Sequence, residues 1–167
     1  MTRDDDTNEQ SVDLLIAHHQ VLVRARPYDD GLAQWGPGNG DQGAVLHPDY
    51  LTFDPLPEEA FGAMVHLMLA SAFSPDPDAA RSIVAPFAVA EPGAVEVASA
   101  AESFPVELGL VAGSYDVHFE ICEGEDEDAE IYYRFTFVPN ASPAAPRFLI
   151  DDEWGGEAGQ PLCTGMF

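Results

Sequence analysis

Two alternating segments flank one acidic turn, and this pairing constrains the fold more than any other feature of the sequence. Tyr115, Val117, Phe119 and Ile121 alternate with Asp116, His118, Glu120 and Cys122. Ile131, Tyr133, Phe135 and Phe137 then alternate with positions that include Arg134 and Thr136. Side chains on a strand point to opposite faces with a period of two, so each segment reads as a half-buried strand. Tyr115, Val117, Phe119, Ile121, Ile131, Tyr133, Phe135 and Phe137 are the predicted core, with the intervening polar residues facing out. The connecting residues 123–130 read EGEDEDAE, in which six of eight are acidic. Like charges in a turn repel one another and stay solvated. The run also lacks the spaced oxygen ligands and central glycine of a calcium loop, so no metal site is expected there.

The rest of the chain follows the same period. Leu14 and Ile16 have one parity, and Val21 and Val23 have the other. The phase changes at Ala17-His18-His19, where no turn residue occurs, so one bulged strand over 12–26 is expected. Residues 27–43 are rich in Gly, Pro, Asp and Asn and read as a loop that exposes Trp35. Ala44–Leu46 and Tyr50–Phe53 are short strands, with a turn at Asp54–Glu59. Phe61–Ser71 combines helix-forming residues with strand alternation, and the β character of its neighbours favours strand. After the break SPDPD at 74–78, strands are expected at Ile83–Val89, Val95–Val97, Val106–Leu110 and Arg147–Ile150. Seven to nine short strands point to an all-β fold, an antiparallel β-sandwich or flattened barrel. One domain over 12–154 is expected, between a disordered acidic tail at 1–11 and an irregular tail at 155–167.

Charge bears on function. The chain has 30 acidic residues against 6 basic ones, all arginine, for a net charge of −24. Such a surface repels nucleic acid and anionic lipid and attracts basic proteins. Adaptation to salt, or a GC-rich genome, gives a similar composition and leaves an alternative open: a non-catalytic accessory domain whose acidity serves solubility. No apolar run reaches membrane-spanning length, and MTRDDDTNEQ does not read as a signal peptide. Cys122 and Cys163 make no metal spacing, and cytoplasmic residence with free thiols is expected. The five histidines form no metal motif. The run WGPGNGDQG lacks the lysine and following helix of a phosphate loop, and no nucleophile elbow occurs. No catalytic residue, cofactor or metal is therefore expected, and the chain does not read as an enzyme.

The layout from Ala80 to Trp154 resembles the competence protein J family. The residues that carry it are ARSIVAPFAV at 80–89, VEVAS at 95–99, Val106–Leu110, GSYDVHF at 113–119, the acidic turn, and PRFLI at 146–150. The resemblance implies a sandwich-like binding protein that blocks a nuclease, with no catalytic residues. Blocking would be electrostatic: an acidic surface occupies a basic cleft and excludes nucleic acid. Aromatics beside acids would anchor it. The expected partner-binding residues are Trp35, the run Asp151, Asp152, Glu153 and Trp154, and the turn acids Glu125, Asp126, Glu127 and Asp128.

Overall fold

The structure, a computed structural model, describes residues 8–16, 20–55, 63–123 and 131–167. Among the described residues, eleven strands form two sheets. They are β1 (Asn8–Leu14), β2 (Val21–Arg24), β3 (Ala44–His47), β4 (Tyr50–Phe53), β5 (Ala63–Leu69), β6 (Ala79–Val89), β7 (Glu96–Ala98), β8 (Ser103–Pro105), β9 (Gly113–Glu123), β10 (Ile131–Pro139) and β11 (Arg147–Phe148). One sheet has the order β1-β5-β10-β9-β6-β11, and the other β3-β4-β2-β7-β8. All pairings are antiparallel except that of β5 with β10. The molecule is an all-β sandwich, not a closed barrel.

The predicted hairpin is its centre. Phe119 pairs with Phe135 and Ile121 with Tyr133 in the β9–β10 register. Seven of the eight predicted core residues are fully enclosed, and Ile131 packs partly buried against them. Phe53 of the facing sheet stacks on Phe119 at 4.3 Å between ring centroids. The two sheets therefore meet through aromatic faces, which add a geometric preference to area burial. Phe61–Ser71 contributes β5, the strand its alternation favours.

Several expectations are corrected. The stretch 12–26 is not one bulged strand, because β1 and β2 lie in different sheets. The parity change marks a crossing between sheets, and both parities point inward, each from its own layer. His18 and His19 lie outside the described residues. β1 begins at Asn8, inside the stretch expected as a tail. Within the expected loop 27–43, Pro37–Gln42 form a short helix, α1, closed by Gly43 in the left-handed region. Val106–Leu110 is not a strand. The pairing segment is β8, just before it, and Leu108 and Leu110 reach the core from irregular backbone. β11 covers only two residues of Arg147–Ile150.

The face of β9 expected to be solvated is also buried: His118, Glu120 and Cys122 are enclosed. Residues 71–78 fold over it. Phe73 stacks on His118 with ring centroids 3.8 Å apart, and the Asp76 N–H donates to Glu120 Oε2 at 2.9 Å. The SPDPD break is thus a cover. Residues 155–167 contain no strand, yet they are part of the domain. Leu162 joins the core, and the Gly165 N–H donates to the Leu46 carbonyl at 2.8 Å.

Candidate partner-binding end of the sandwich

The strand directions gather one end of the molecule. β4 and β9 finish there, while β3, β6 and β10 begin there, and α1 leads into β3. Between the sheets at this end sits Arg81, at the start of β6. Its side chain is 2% exposed and that of Asp152 is 0%. Arg81 Nε and Nη2 donate to the two Asp152 carboxylate oxygens at 2.8 and 3.2 Å, a bidentate pair. The guanidinium lies over the rings of Phe148 and Trp154, 5.1 and 5.7 Å from their centroids. Its Nη1 points to the Gln42 carbonyl at 3.4 Å. Gly43 makes this approach possible, since a Cβ there would lie 2.5 Å from Nη1.

Asp152 is therefore an internal group. Its Oδ1 also accepts from the Trp154 and Gly156 N–H groups at 2.8 Å each. Burial alone would raise its pKa. The Arg81 hydrogen bonds, with those of Gly156 and Trp154, outweigh burial and hold the carboxyl below its usual value. This corrects the expectation of a solvated rim acid: Asp152 shapes the loop on which its neighbours stand. Asp151 and Glu153 are exposed on that loop, and Trp154 is half-buried, one ring face on Arg81. Trp35 is half-buried as well, just ahead of α1 at the same end. The structure thus brings Trp35, Asp151, Glu153 and Trp154 to one end of the sandwich. Glu125, Asp126, Glu127 and Asp128 lie outside the described residues.

Sequence reasoning gave Arg81 no role, although it lies in the run 80–89 that carries the family resemblance. It also missed Asp41 and Glu157, exposed acids on α1 and on the loop after Trp154. Four of the six arginines share one behaviour. Arg24, Arg26, Arg81 and Arg134 each pair with a carboxylate inside the molecule: Glu96, Asp29 with Asp49, Asp152, and Glu120 with Asp76. Those four positive charges are paired within the chain, which leaves exposed carboxylates around Arg81, while Arg147 donates to the Ala145 carbonyl at 3.4 Å and has no ion pair among the described residues.

Two clefts lie elsewhere. One of about 360 Å³ is lined mainly by apolar residues, including Leu46, Pro86 and Phe87. The other, about 580 Å³, is polar and lies over the outer face of the five-stranded sheet, where the enclosed Tyr50 hydroxyl has no hydrogen-bond partner among the described residues. Neither contains Trp35, Trp154 or the Asp151–Glu153 run. Among the described residues, no group of His, Cys, Asp and Glu is arranged to hold a metal ion.

Comparison with known proteins adds three findings. The model of the family "Competence protein J (ComJ)" matches residues 13–138. A crystal structure of ComJ from Bacillus subtilis, described as an inhibitor of the DNA-degrading activity of NucA, superposes with a TM-score of 0.64 at 17% sequence identity, covering 78% of this chain and 96% of that one. A protein described as crocagin biosynthetic gene J superposes with a TM-score of 0.49 at 11% identity, covering 80% of this chain and 97% of that one. No protein of curated function matches the sequence.

Proposed function

The chain belongs to the competence protein J family, and from that premise we propose that it is a non-catalytic protein inhibitor of a nuclease. The Bacillus subtilis member, described as inhibiting NucA, supports the partner class. The proposed mechanism is occupation of a basic nucleic-acid cleft by the acidic end of the sandwich. The observation that carries it is the internal use of arginine: Arg81 is enclosed with Asp152, while Asp41, Asp151, Glu153 and Glu157 stand exposed around that pair. A nuclease cleft built for phosphates offers the opposite potential, which accelerates encounter and suppresses other partners. The loop that carries Asp151 and Glu153 is fixed by four hydrogen bonds to the Asp152 carboxylate, so little ordering entropy is lost on binding.

The test is degradation of DNA by a purified nuclease of the NucA type from the same organism, with the chain titrated in across a salt series. Stoichiometric protection that weakens as salt rises is expected. Unchanged degradation at tenfold excess of the chain would remove the proposal.

A further inference from the structure

The glycine-rich run before β3 is not a solvated loop. It is the seat on which residues 163–167 are docked. Asn39 of α1, wholly enclosed, uses both ends of its amide. Its Oδ1 accepts from the N–H groups of Gly36 and Phe167 at 2.8 and 3.0 Å. Its Nδ2 donates to the carbonyls of Gly165 and Ala44 at 2.9 and 3.2 Å. Gln42 repeats the device one turn later. Its Nε2 donates to the Cys163 carbonyl and its Oε1 accepts from the Cys163 N–H, each at 2.9 Å. The Gly38 N–H donates to the Phe167 carbonyl at 2.9 Å. A Cβ on Gly38 would fall 2.1 Å from the Phe167 ring, so the ring lies flat on the glycine.

The segment is pinned through its backbone, yet Met166 and the outer side of the Phe167 ring are left exposed. Met166 is 58% exposed and Phe167 44%. Single exposed apolar residues need no explanation. Here two are adjacent and end a segment that two amides of α1 hold, and the same helix carries exposed Asp41. We infer that Met166 and Phe167 form the apolar anchor of the interface at this end, inserted into an apolar pocket on the rim of a cationic nuclease's cleft. This rests on the functional reading above and adds what binds beside the charges. A fixed apolar anchor at the end that also exposes Asp41, Asp151, Glu153 and Glu157 has the composition of a hot spot: desolvated apolar contact at the centre and charge at the edge.

The test uses the full chain, the same nuclease and its DNA. The double variant Met166→Ser/Phe167→Ala keeps every backbone hydrogen bond of the seat. It should raise the inhibition constant about thirtyfold, the size of a hot-spot loss, and leave the salt slope as in the parent. Gly38→Ala keeps both side chains but lifts the ring, and should weaken inhibition about tenfold with the melting temperature nearly unchanged. Parent-like inhibition by both variants, with DNA protected by the parent, would overturn the anchor and leave the functional reading standing. A parent that does not inhibit would remove both. Sedimentation of the parent as a dimer that the double variant dissociates would assign the pair to self-association instead and overturn the anchor.

Discussion

Arg81–Asp152 and Arg134–Glu120 are both arginine–carboxylate pairs of the six-stranded sheet, and both carboxylate side chains are 0% exposed. Asp152 is held below its usual pKa, and Glu120 is pushed above its own. Burial is the largest cause of the rise at Glu120, whereas at Asp152 the hydrogen bonds outweigh it. Asp152 receives two hydrogen bonds from Arg81 and two from backbone N–H groups. Glu120 receives one from Arg134 and one from the Asp76 N–H, at 2.9 Å each. Arg134 is also shared with the Asp76 carboxylate, 3.5 Å away, whose charge opposes ionisation of Glu120. Four donors outweigh desolvation; two donors beside a second carboxylate do not. The pair between the sheets is thus a staple, while the pair under the 71–78 cover is closer to a balance.

The first way to break this comparison is Arg81→Met. It leaves Asp152 buried without its counter-charge and should cost about 3–5 kcal/mol in urea unfolding, the usual penalty for orphaning one member of a buried pair. A loss under about 1 kcal/mol would mean that Asp152 reaches water and that the staple is an exposed bridge.

Next in size is the acid response of His118 beside the second pair. Burial is the first cause of its lowered pKa, to about 4. Arg147 lowers it further and Asp116 opposes the shift. The unfolded chain takes up this proton near pH 6.5 and the folded chain near 4. Stability from this group is therefore present above about 6.5 and lost as pH falls towards 4, by roughly 3 kcal/mol in full. Glu120 acts in the opposite sense. Its raised pKa gives a contribution present below its unfolded value, near 4.5, and lost as pH rises through the folded value. Melting curves from pH 8 to 4 should therefore flatten in His118→Gln and steepen in Glu120→Gln. Parallel curves for the parent and both variants would contradict the assignment.

Gly43→Ala should cost about 1–2 kcal/mol for the left-handed backbone alone, since φ is +78°. It would also displace the Arg81 guanidinium. The smallest effect belongs to Glu120→Gln at neutral pH, within about 1 kcal/mol of the parent, because it removes a charge the site holds weakly. Chemical denaturation of the two variants ranks them, and equal losses would erase the distinction between staple and balance.

Much of the sheet architecture was legible in the sequence because the alternation from Tyr115 to Phe137 is a local consequence of burying one strand face. The second sheet face was not. Glu120 and His118 read as solvated because nothing in their own strand reveals that Phe73 and Asp76, more than 40 residues earlier, fold over them. The crossing between β1 and β2 looked like a bulge because both produce the same change of parity. At the candidate site, Trp154 and its acids were visible as a cluster, but the inward turn of Asp152 depends on Arg81, 71 residues away. Asn39 and Gln42 looked like loop polarity, and their partners lie more than 120 residues further on.

The central claim is that the Arg81 end of the sandwich, and not net acidity, occupies the nuclease cleft. The direct measurement compares two variants of equal charge change by their inhibition constants at low and physiological salt. Asp151→Asn/Glu153→Gln removes two charges from that end. Glu91→Gln/Glu107→Gln removes two exposed charges beyond the opposite strand ends, after β6 and after β8. Both should melt like the parent, since exposed charges contribute little to folding. The account predicts at least about a tenfold weaker inhibition for the first pair and less than about twofold for the second, a gap of about 1 kcal/mol or more. Equal weakening by the two pairs, or none by the first, would contradict it.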